Sequence, residues 1–352
     1  MHILGIDIGG ANIKAASSEG YTSHRPFALW QQPAQLPEVL AEIAKDAPAT
    51  DQIVITMTGE LTDCFDHKRQ GVETIVKAAR QACGESIAVY LLDGRFVNCE
   101  VAIKQPDLAA ASNWHGLAAF VATQIAPATS GLLIDIGSTT TDLIPFGNGR
   151  VLASGRNDFD RLVQRELVYT GVVRSPLNGI VRQLLHHGEK CPVMNELFAT
   201  TLDVNIVLGH LPPKAEACWA ADGGTTSVGG CIKRLARLVG KDETTFSCDD
   251  AFEMAEQIQT TQLNMLKSAA LVQLQRLQDE NPVMIVSGQG EFLAQTLVGR
   301  LQPAVPTLSL IRLGDELGET VSACAPAYAI ARLAAGTTRN RYITTLSPTS
   351  SR

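Results

Sequence analysis

"IDIGGANIKAA", residues 6–16, and "IDIGSTTTDLI", residues 134–144, begin with the same four letters and follow one plan. Each has an apolar run, an aspartate, a glycine turn and a second run that alternates like a strand. Asp135 follows Asp7 by 128 residues, which leaves room for each copy to open its own domain. Gly9, Gly10 and Gly137 let backbone N–H groups approach an anion closely, and Asn12, Ser138, Thr139 and Thr140 add side-chain hydrogen bonds. A phosphate-binding strand–turn–strand is therefore expected twice. A P-loop and a dinucleotide loop are excluded, because each needs its own glycine spacing and a helix directly after it. A carboxylate repels phosphate, so Asp7 and Asp135 are expected to hold Mg²⁺, directly or through water, as a bridge between the two anions.

Composition fits a two-domain enzyme-sized chain. The 352 residues are 45% hydrophobic and 18% charged, enough apolar material for a substantial core. With 29 basic against 36 acidic residues the formal charge is −7, which argues against a general nucleic-acid or anionic-membrane surface. Met1 leads almost directly into ILGIDI, with no basic and then apolar leader, and no apolar run reaches membrane-spanning length. A cytoplasmic protein is expected, its oligomeric state left open. Eight cysteines (Cys64, Cys83, Cys99, Cys191, Cys218, Cys231, Cys248, Cys324) lie scattered without CxxC pairs and are read as mostly reduced and buried. His186, His187 and Cys191 fall close enough to suggest a metal, but a basic-polar loop followed by a core cysteine explains their loose spacing as well.

Strands are expected at 3–8, 12–17, 52–57 and 86–92, with helices at 36–46 and 70–83. A helix-like stretch from Asp107 leads through "APATSG" to the second hairpin, and that punctuation marks the expected boundary. The first domain is placed at 1–128, with a small-residue helix at 322–336 packing between domains. The second is placed at 129–321, with an irregular insertion over about 171–250. A long helix follows, with Asp250 and Glu253 spaced as a capping box and its end near Glu280. "PVMIVSGQG" reads as a buried strand and glycine turn before a helix from Glu291, and the tail 337–352 is expected to be mobile.

On these motifs the chain resembles the superfamily of actin, sugar kinases and Hsp70 chaperones. The resemblance implies an α/β fold of two ribonuclease H-like domains facing each other across a nucleotide cleft whose opening and closing gates chemistry. "LGIDIGGANIKAA" resembles the first phosphate motif, "LLIDIGSTTTDLIPF" the second, "VMIVSGQGEFL" the motif beside the nucleoside, and "APAYAIARLAA" the hinge helix. Ser287, Gly288, Gln289 and Gly290 thereby join the candidate phosphate or nucleotide site. "TMTGELTDCFDHKRQGV" (56–72), "ELVYTGVVRSPL" (166–177) and "NELFATTLDVNIVLG" (195–209) resemble the hydantoinase/oxoprolinase family, and within it the short proteins of tetrahydromethanopterin-linked one-carbon metabolism. That resemblance implies a methanofuran-type transferase joining an aminomethyl-furanmethyl diphosphate to the phenol oxygen of glutamyl-tyramine, with release of diphosphate. True hydantoinase subunits are much longer. An ATP-dependent hydrolase or small-molecule kinase of the same fold stays open, and so does a non-enzymatic actin-like ATPase; whether ATP binds at all stays open with them.

The transferase chemistry needs leaving-group charge neutralised and a phenol of pKa about 10 deprotonated. Glu60 is the first candidate for the base, because it follows the strand 52–57 at its C-terminal end, where open α/β sheets place ligand-contacting groups. A solvated or helix-capping loop acid is the plain alternative, and Asp63 shares it. Lys68 and Arg69 are candidate phosphate ligands or a solvated basic pair. Lys14 is a weaker candidate, since alternation can turn it away. Asp142 and Asp158 are second-rank acids behind Asp7 and Asp135.

Overall fold

The computed structural model describes residues 1–213 and 220–345, with side chains to Gly336. Cys218 and the residues 346–352 of the expected tail lie outside the described residues. The first stretch carries β1 (Ile3–Ile8), β2 (Asn12–Ser17), β3 (Thr22–Pro26), α1 (Leu36–Asp46), β4 (Gln52–Met57), α2 (Lys68–Cys83), β5 (Ala88–Tyr90) and β6 (Phe96–Val97). Three helices follow, α3 (Cys99–Lys104), α4 (Pro106–Ala109) and α5 (Asn113–Phe120), the last running on into a π turn at Val121–Ile125. The strands form one sheet in the order β3-β2-β1-β4-β5-β6, with β1 antiparallel to β2 and parallel to β4.

The chain continues with β7 (Ser130–Ile136), β8 (Thr141–Gly147), β9 (Arg150–Val151), α6 (Asp158–Gln164) and β10 (Leu167–Val168). Then come β11 (Gln183–His186), β12 (Glu189–Pro192), α7 (Thr201–Val207), α8 (Val228–Arg237), α9 (Cys248–Leu277), β13 (Val283–Ser287), α10 (Glu291–Leu301) and β14 (Ser309–Arg312). The last elements are α11 (Leu313–Leu317), α12 (Glu319–Ser322) and α13 (Ala325–Thr345). The second large sheet runs β10-β8-β7-β13-β14, with β13 parallel to β7 and to β14. Leaving aside β6 and the two-residue β9, which pairs with β8 off the main path, each sheet has the order third, second, first, fourth, fifth. The fold is α/β, with two ribonuclease H-like sheets of the actin-like ATPase type.

Packing separates two compact units. The first comprises Met1–Ser130, Ile144–Arg161 and the chain from Leu313; the second comprises Gly131–Leu143 and Leu162–Arg312. In the first, Ile6 and Ile8 pack with Leu40, Val72 and Ile75 of α1 and α2. Ile3, Val54 and Tyr90 pack with Ile330, Ala331 and Ala334 of α13. Gly5 permits that second contact, since a Cβ there would collide with the Ala327 carbonyl oxygen. In the second, Leu132 and Ile134 pack with Leu266 of α9 and Leu297 of α10.

Several expectations need correction. The strand over 86–92 is reduced to Ala88–Tyr90. The helix from Asp107 breaks between α4 and α5, where Ala111 takes a left-handed φ of 45° that no helix accommodates. The stretch 171–250 is more than irregular: it holds a hairpin and two helices with their own core of Leu177, Val204, Leu235 and Met254. The capping box of α9 is Ser247 with Asp250, three residues ahead of the expected pair, and the helix closes at Leu277. Among the described residues no helix is long and apolar enough to cross a membrane. The described cysteines are free thiols, of which Cys99, Cys231 and Cys324 are buried.

Candidate active site

In the first unit, Asp7 stands at the end of β1, nearly buried, opposite Lys14 of β2 on one side and Thr56 of β4 on the other. The turn closes with Gly9 N donating to Asn12 O at 3.0 Å. Thr58 N and Gly59 N both donate to Ile8 O, at 3.0 and 3.1 Å, so the loop after β4 is stitched to the hairpin. A Cβ on Gly59 would lie 3.2 Å from Gly10 N, so this close approach requires glycine.

That loop presents Glu60, 1% exposed. Gly71 of α2 lies against its backbone, where any side chain would collide with Glu60 O. The carboxylate oxygen Oε2 finds no hydrogen-bond partner among the described residues. Burial pushes the Glu60 carboxyl up from 4.5 to about 7 and Asp158 adds to the rise, while the backbone at Glu60 and Ala111 and the charge of Lys68 oppose it. A carboxyl titrating near neutrality is suited to moving protons, the property expected of a general base.

Around Glu60 the structure gathers only part of the expected set. Lys68, half-buried, and Asp158 are close enough to act on it. Arg69 is exposed and acts on Glu73 instead. Asp63 is exposed. Sequence reasoning missed two side chains here, Arg161 beside Asp158 and Trp114 against Arg161. Arg161, 2% exposed, has Nη1 3.6 Å from Asp158 Oδ1 and stacks its guanidinium 4.2 Å from the centroid of the Trp114 ring. Trp114 Nε1 is buried without an acceptor among the described residues. Neither had a local signal, since Trp114 reads as core and Arg161 as the polar edge of a short helix.

In the second unit, Asp135 occupies the matching place near the end of β7, beside Ser287 of β13. Gly137 N donates to Thr140 O at 2.9 Å, closing the turn that carries half-buried Ser138 and Thr139. Val172 N donates to Gly137 O at 3.1 Å, and Val173 N and Arg174 N donate to Ser138 O at 3.0 and 2.9 Å. This "YTGVVRS" loop is itself tied down. Gln262 Nε2 of α9 donates to Thr170 Oγ1 and Gly171 O, both at 2.9 Å, and Asn205 Nδ2 donates to Val172 O at 2.9 Å. Gly288, at φ 90°, approaches so closely that a Cβ there would collide with Ile136 O and with Asp135 Oδ1. Ser287 Oγ is fully buried and has no hydrogen-bond partner among the described residues. Gly290 N donates to Ile136 O at 2.8 Å, and Glu291 is held by Arg312, Nε to Oε1 2.6 Å. Gln289 is exposed, and Asp142 is buried on β8 opposite Leu167 of β10.

The donor chemistry suits Mg²⁺. Asp135, Ser287 and the hairpin hydroxyls offer hard oxygens, and Asp7 offers a carboxylate beside glycine N–H groups. His186 and His187 are elsewhere, joined by Asp250 and not by Cys191.

The profile of the hydantoinase/oxoprolinase family matches residues 51–335. The chain belongs to this family. It is 31% identical over 336 residues, 94% of this chain and 97% of the relative, to the "(4-{4-[2-(gamma-L-glutamylamino)ethyl]phenoxymethyl}furan-2-yl)methanamine synthase" of Methanocaldococcus jannaschii. A Methanococcus vannielii protein of the same name is 25% identical over 202 residues, 57% of this chain and 89% of that one. Among solved structures, MreB 5 of Spiroplasma citri bound to AMPPNP covers 97% of this chain and 98% of its own, at 11% identity and a TM-score of 0.47. Family membership thus rests on sequence over nearly the whole chain.

Proposed function

We propose that this protein is a transferase that joins an aminomethyl-furanmethyl diphosphate to the phenol oxygen of glutamyl-tyramine, or a close tyramine derivative, in methanofuran-type cofactor synthesis. The observation that carries this reading is the match to a synthase of that ether across 94% of this chain and 97% of the relative. The reaction forms a bond between the phenol oxygen and the furan-bearing methylene, breaks the bond from that methylene to diphosphate, and passes the phenol proton to a base.

Glu60 is the base in this reading. An ordinary carboxyl at 4.5 is poorly matched to a phenol near 10; at about 7 the mismatch shrinks by about 2.5 pH units, roughly 3 kcal/mol. The Asp135 hairpin supplies N–H and hydroxyl donors to the diphosphate, with Ser138, Thr139, Thr140 and Ser287 as the side-chain set. Gly9, Gly10 and Asn12 supply the corresponding donors of the first hairpin. Asp7 and Asp135 are the residues that would hold Mg²⁺, which when bound neutralises diphosphate charge as it leaves. ATP has no role in this bond change and at most competes for the cradle. The same reading makes the protein a cytoplasmic enzyme of small molecules, without a nucleic-acid partner.

The test is to supply purified protein with the furanmethyl diphosphate, glutamyl-tyramine and Mg²⁺, and to follow ether and diphosphate with and without ATP. Stoichiometric ether and diphosphate without ATP is the expected result. An absolute requirement for ATP would instead assign the chain to the hydrolases or kinases of its fold.

A further inference from the structure

The hairpin β11–β12 and the head of α9 bring His186, His187 and Asp250 together, and none of the residues assigned to the reaction takes part. One ligand atom from each lies within 4.8 Å of the other two. His187 Nε2 is 2.6 Å from Asp250 Oδ1, and His186 Nδ1 is 3.7 Å from the same oxygen. The longer separation is not a hydrogen bond. Ligands bound at about 2.0–2.1 Å in a tetrahedron stand roughly 3.4 Å apart, and the two separations bracket that value.

Local structure prepares the cluster. The hairpin turns on His187 and Gly188, with φ of 48° and 82°. Two consecutive positive φ values make a tight turn that asparagine or glycine normally fills, so a histidine in the first place is held there against its preference. The two rings are stacked, centroids 4.1 Å apart and planes 19° apart, so the exposed His187 ring must swing for both nitrogen lone pairs to converge on one ion. Asp250 is oriented from behind: its Oδ2 accepts from Ser247 N and Ser247 Oγ, both at 2.8 Å, which leaves Oδ1 for the imidazoles. Such a bond to the outer oxygen is how ligating carboxylates are aimed. His186 Nε2, buried, has no partner among the described residues.

We propose that His186 Nδ1, His187 Nε2 and Asp250 Oδ1 form a Zn²⁺ site that clips the β11–β12 hairpin to the N-terminus of α9. Two imidazoles and one carboxylate suit Zn²⁺ rather than Mg²⁺, and exposed His187 leaves the fourth position to water. The nearby charges oppose one another, Lys241 disfavouring a cation and Glu253 favouring it. Zn²⁺ at this end of α9 would stiffen the helix whose Gln262 fixes the loop behind the Asp135 hairpin.

The experiment uses untagged full-length protein, stripped with chelator and kept in excess Mg²⁺ so that the oxygen sites are filled. It is titrated with Zn²⁺ and, for a visible signal, Co²⁺. One equivalent should bind, the Co²⁺ form should show tetrahedral d–d absorption, and the melting temperature should rise by several degrees. His187→Asn suits the left-handed turn and should fold, while weakening binding at least tenfold. Cys191→Ala should bind as the wild type does. Failure of the wild type to take up one equivalent would overturn the site, as would undiminished binding by His187→Asn or loss of binding in Cys191→Ala.

Discussion

The two hairpins carry the same four positions and use them in opposite ways. Asp7 and Asp135 are neighboured on the parallel strand by Thr56 and Ser287, and three residues on, Gly59 N and Gly290 N donate to Ile8 O and Ile136 O. Glu60 and Glu291 come next. In the first unit the hydroxyl is used by the fold: Thr56 Oγ1 lies 2.8 Å from Ser112 Oγ, and Ser112 Oγ donates to Tyr90 O at 3.1 Å. Its glutamate is left without a partner on Oε2. In the second the glutamate is used, bound to Arg312, and the hydroxyl of Ser287 is left. Leaving a buried polar atom unsatisfied costs about 1–3 kcal/mol, so each unit tolerates that cost at a different matched position. Charge divides in the same sense. Lys14 faces Asp7, whereas the equivalent place in the second copy, two residues past the one that closes the turn, is Asp142. In the proposed reaction, the first copy is the one suited to proton transfer and the second the one suited to Mg²⁺ and, through it, diphosphate.

Exchanging the matched glutamates' side chains for amides tests this division most severely. Glu60→Gln should lower turnover by about 10²- to 10⁴-fold with diphosphate binding almost unchanged. Glu291→Gln should leave the rate within about tenfold, with the melting temperature lowered through the weakened Arg312 pair. Equal rate losses would erase the distinction. Next in size, Asp135→Asn should cut turnover roughly 10²-fold and move the Mg²⁺ requirement upward. Asp7→Asn should move that requirement less, because Lys14 already offsets its charge. Mg²⁺ titrations of the two variants that superimpose would count against this asymmetry.

The matched hydroxyls should differ by about tenfold. Ser287→Ala should weaken diphosphate binding by roughly 5- to 30-fold, while Thr56→Val should spare binding and lower stability by about 1–3 kcal/mol, both read by calorimetry. The smallest effect is on stability against pH. The folded carboxyl of Glu60 titrates at about 7 and the unfolded one at 4.5, so the native state holds an extra proton between those values. Its stabilisation is complete below 4.5 and is lost as the pH rises to 7. Glu60→Gln removes that dependence, so the variant's stability relative to wild type should climb across this window and level off about 1–3 kcal/mol higher above it. Parallel stability curves would show that Glu60 titrates normally.

What the sequence made legible was local. Strands Ile3–Ile8, Asn12–Ser17 and Gln52–Met57 and helix Leu36–Asp46 have the bounds read from alternation and helical period, and helix Glu291–Leu301 starts where it was expected. The rest depended on contacts distant in sequence. "TGELTD" reads as a polar loop, and only Gly71 pressing on its backbone explains why Glu60 is buried. Ala111 gives no sign of a left-handed backbone, so a broken helix looked continuous. Cys191 lies near His186 and His187 in sequence, whereas the side chain the fold brings to them is Asp250, from 63 residues beyond His187. The acids of the hairpins were legible because a glycine turn announces itself. The pair Trp114–Arg161 was not, since nothing within either segment names the other.

Gly5 lies under α13 so closely that no side chain fits, and Ile3, Val54 and Tyr90 are covered by that same helix. Strand Ile3–Ile8 is therefore finished by helix Ala325–Thr345, which leaves the ribosome after everything between them. At roughly 5–20 residues per second the nascent first unit waits on the order of tens of seconds with one face of its sheet bare. The second unit's interior, Leu162–Arg312, is synthesised entirely within that wait. Birth order is thus inverted relative to completion: β1 is made before the second unit yet is covered after it, and a ribosome stalled before residue 325 would hold β1 with one face still sticky.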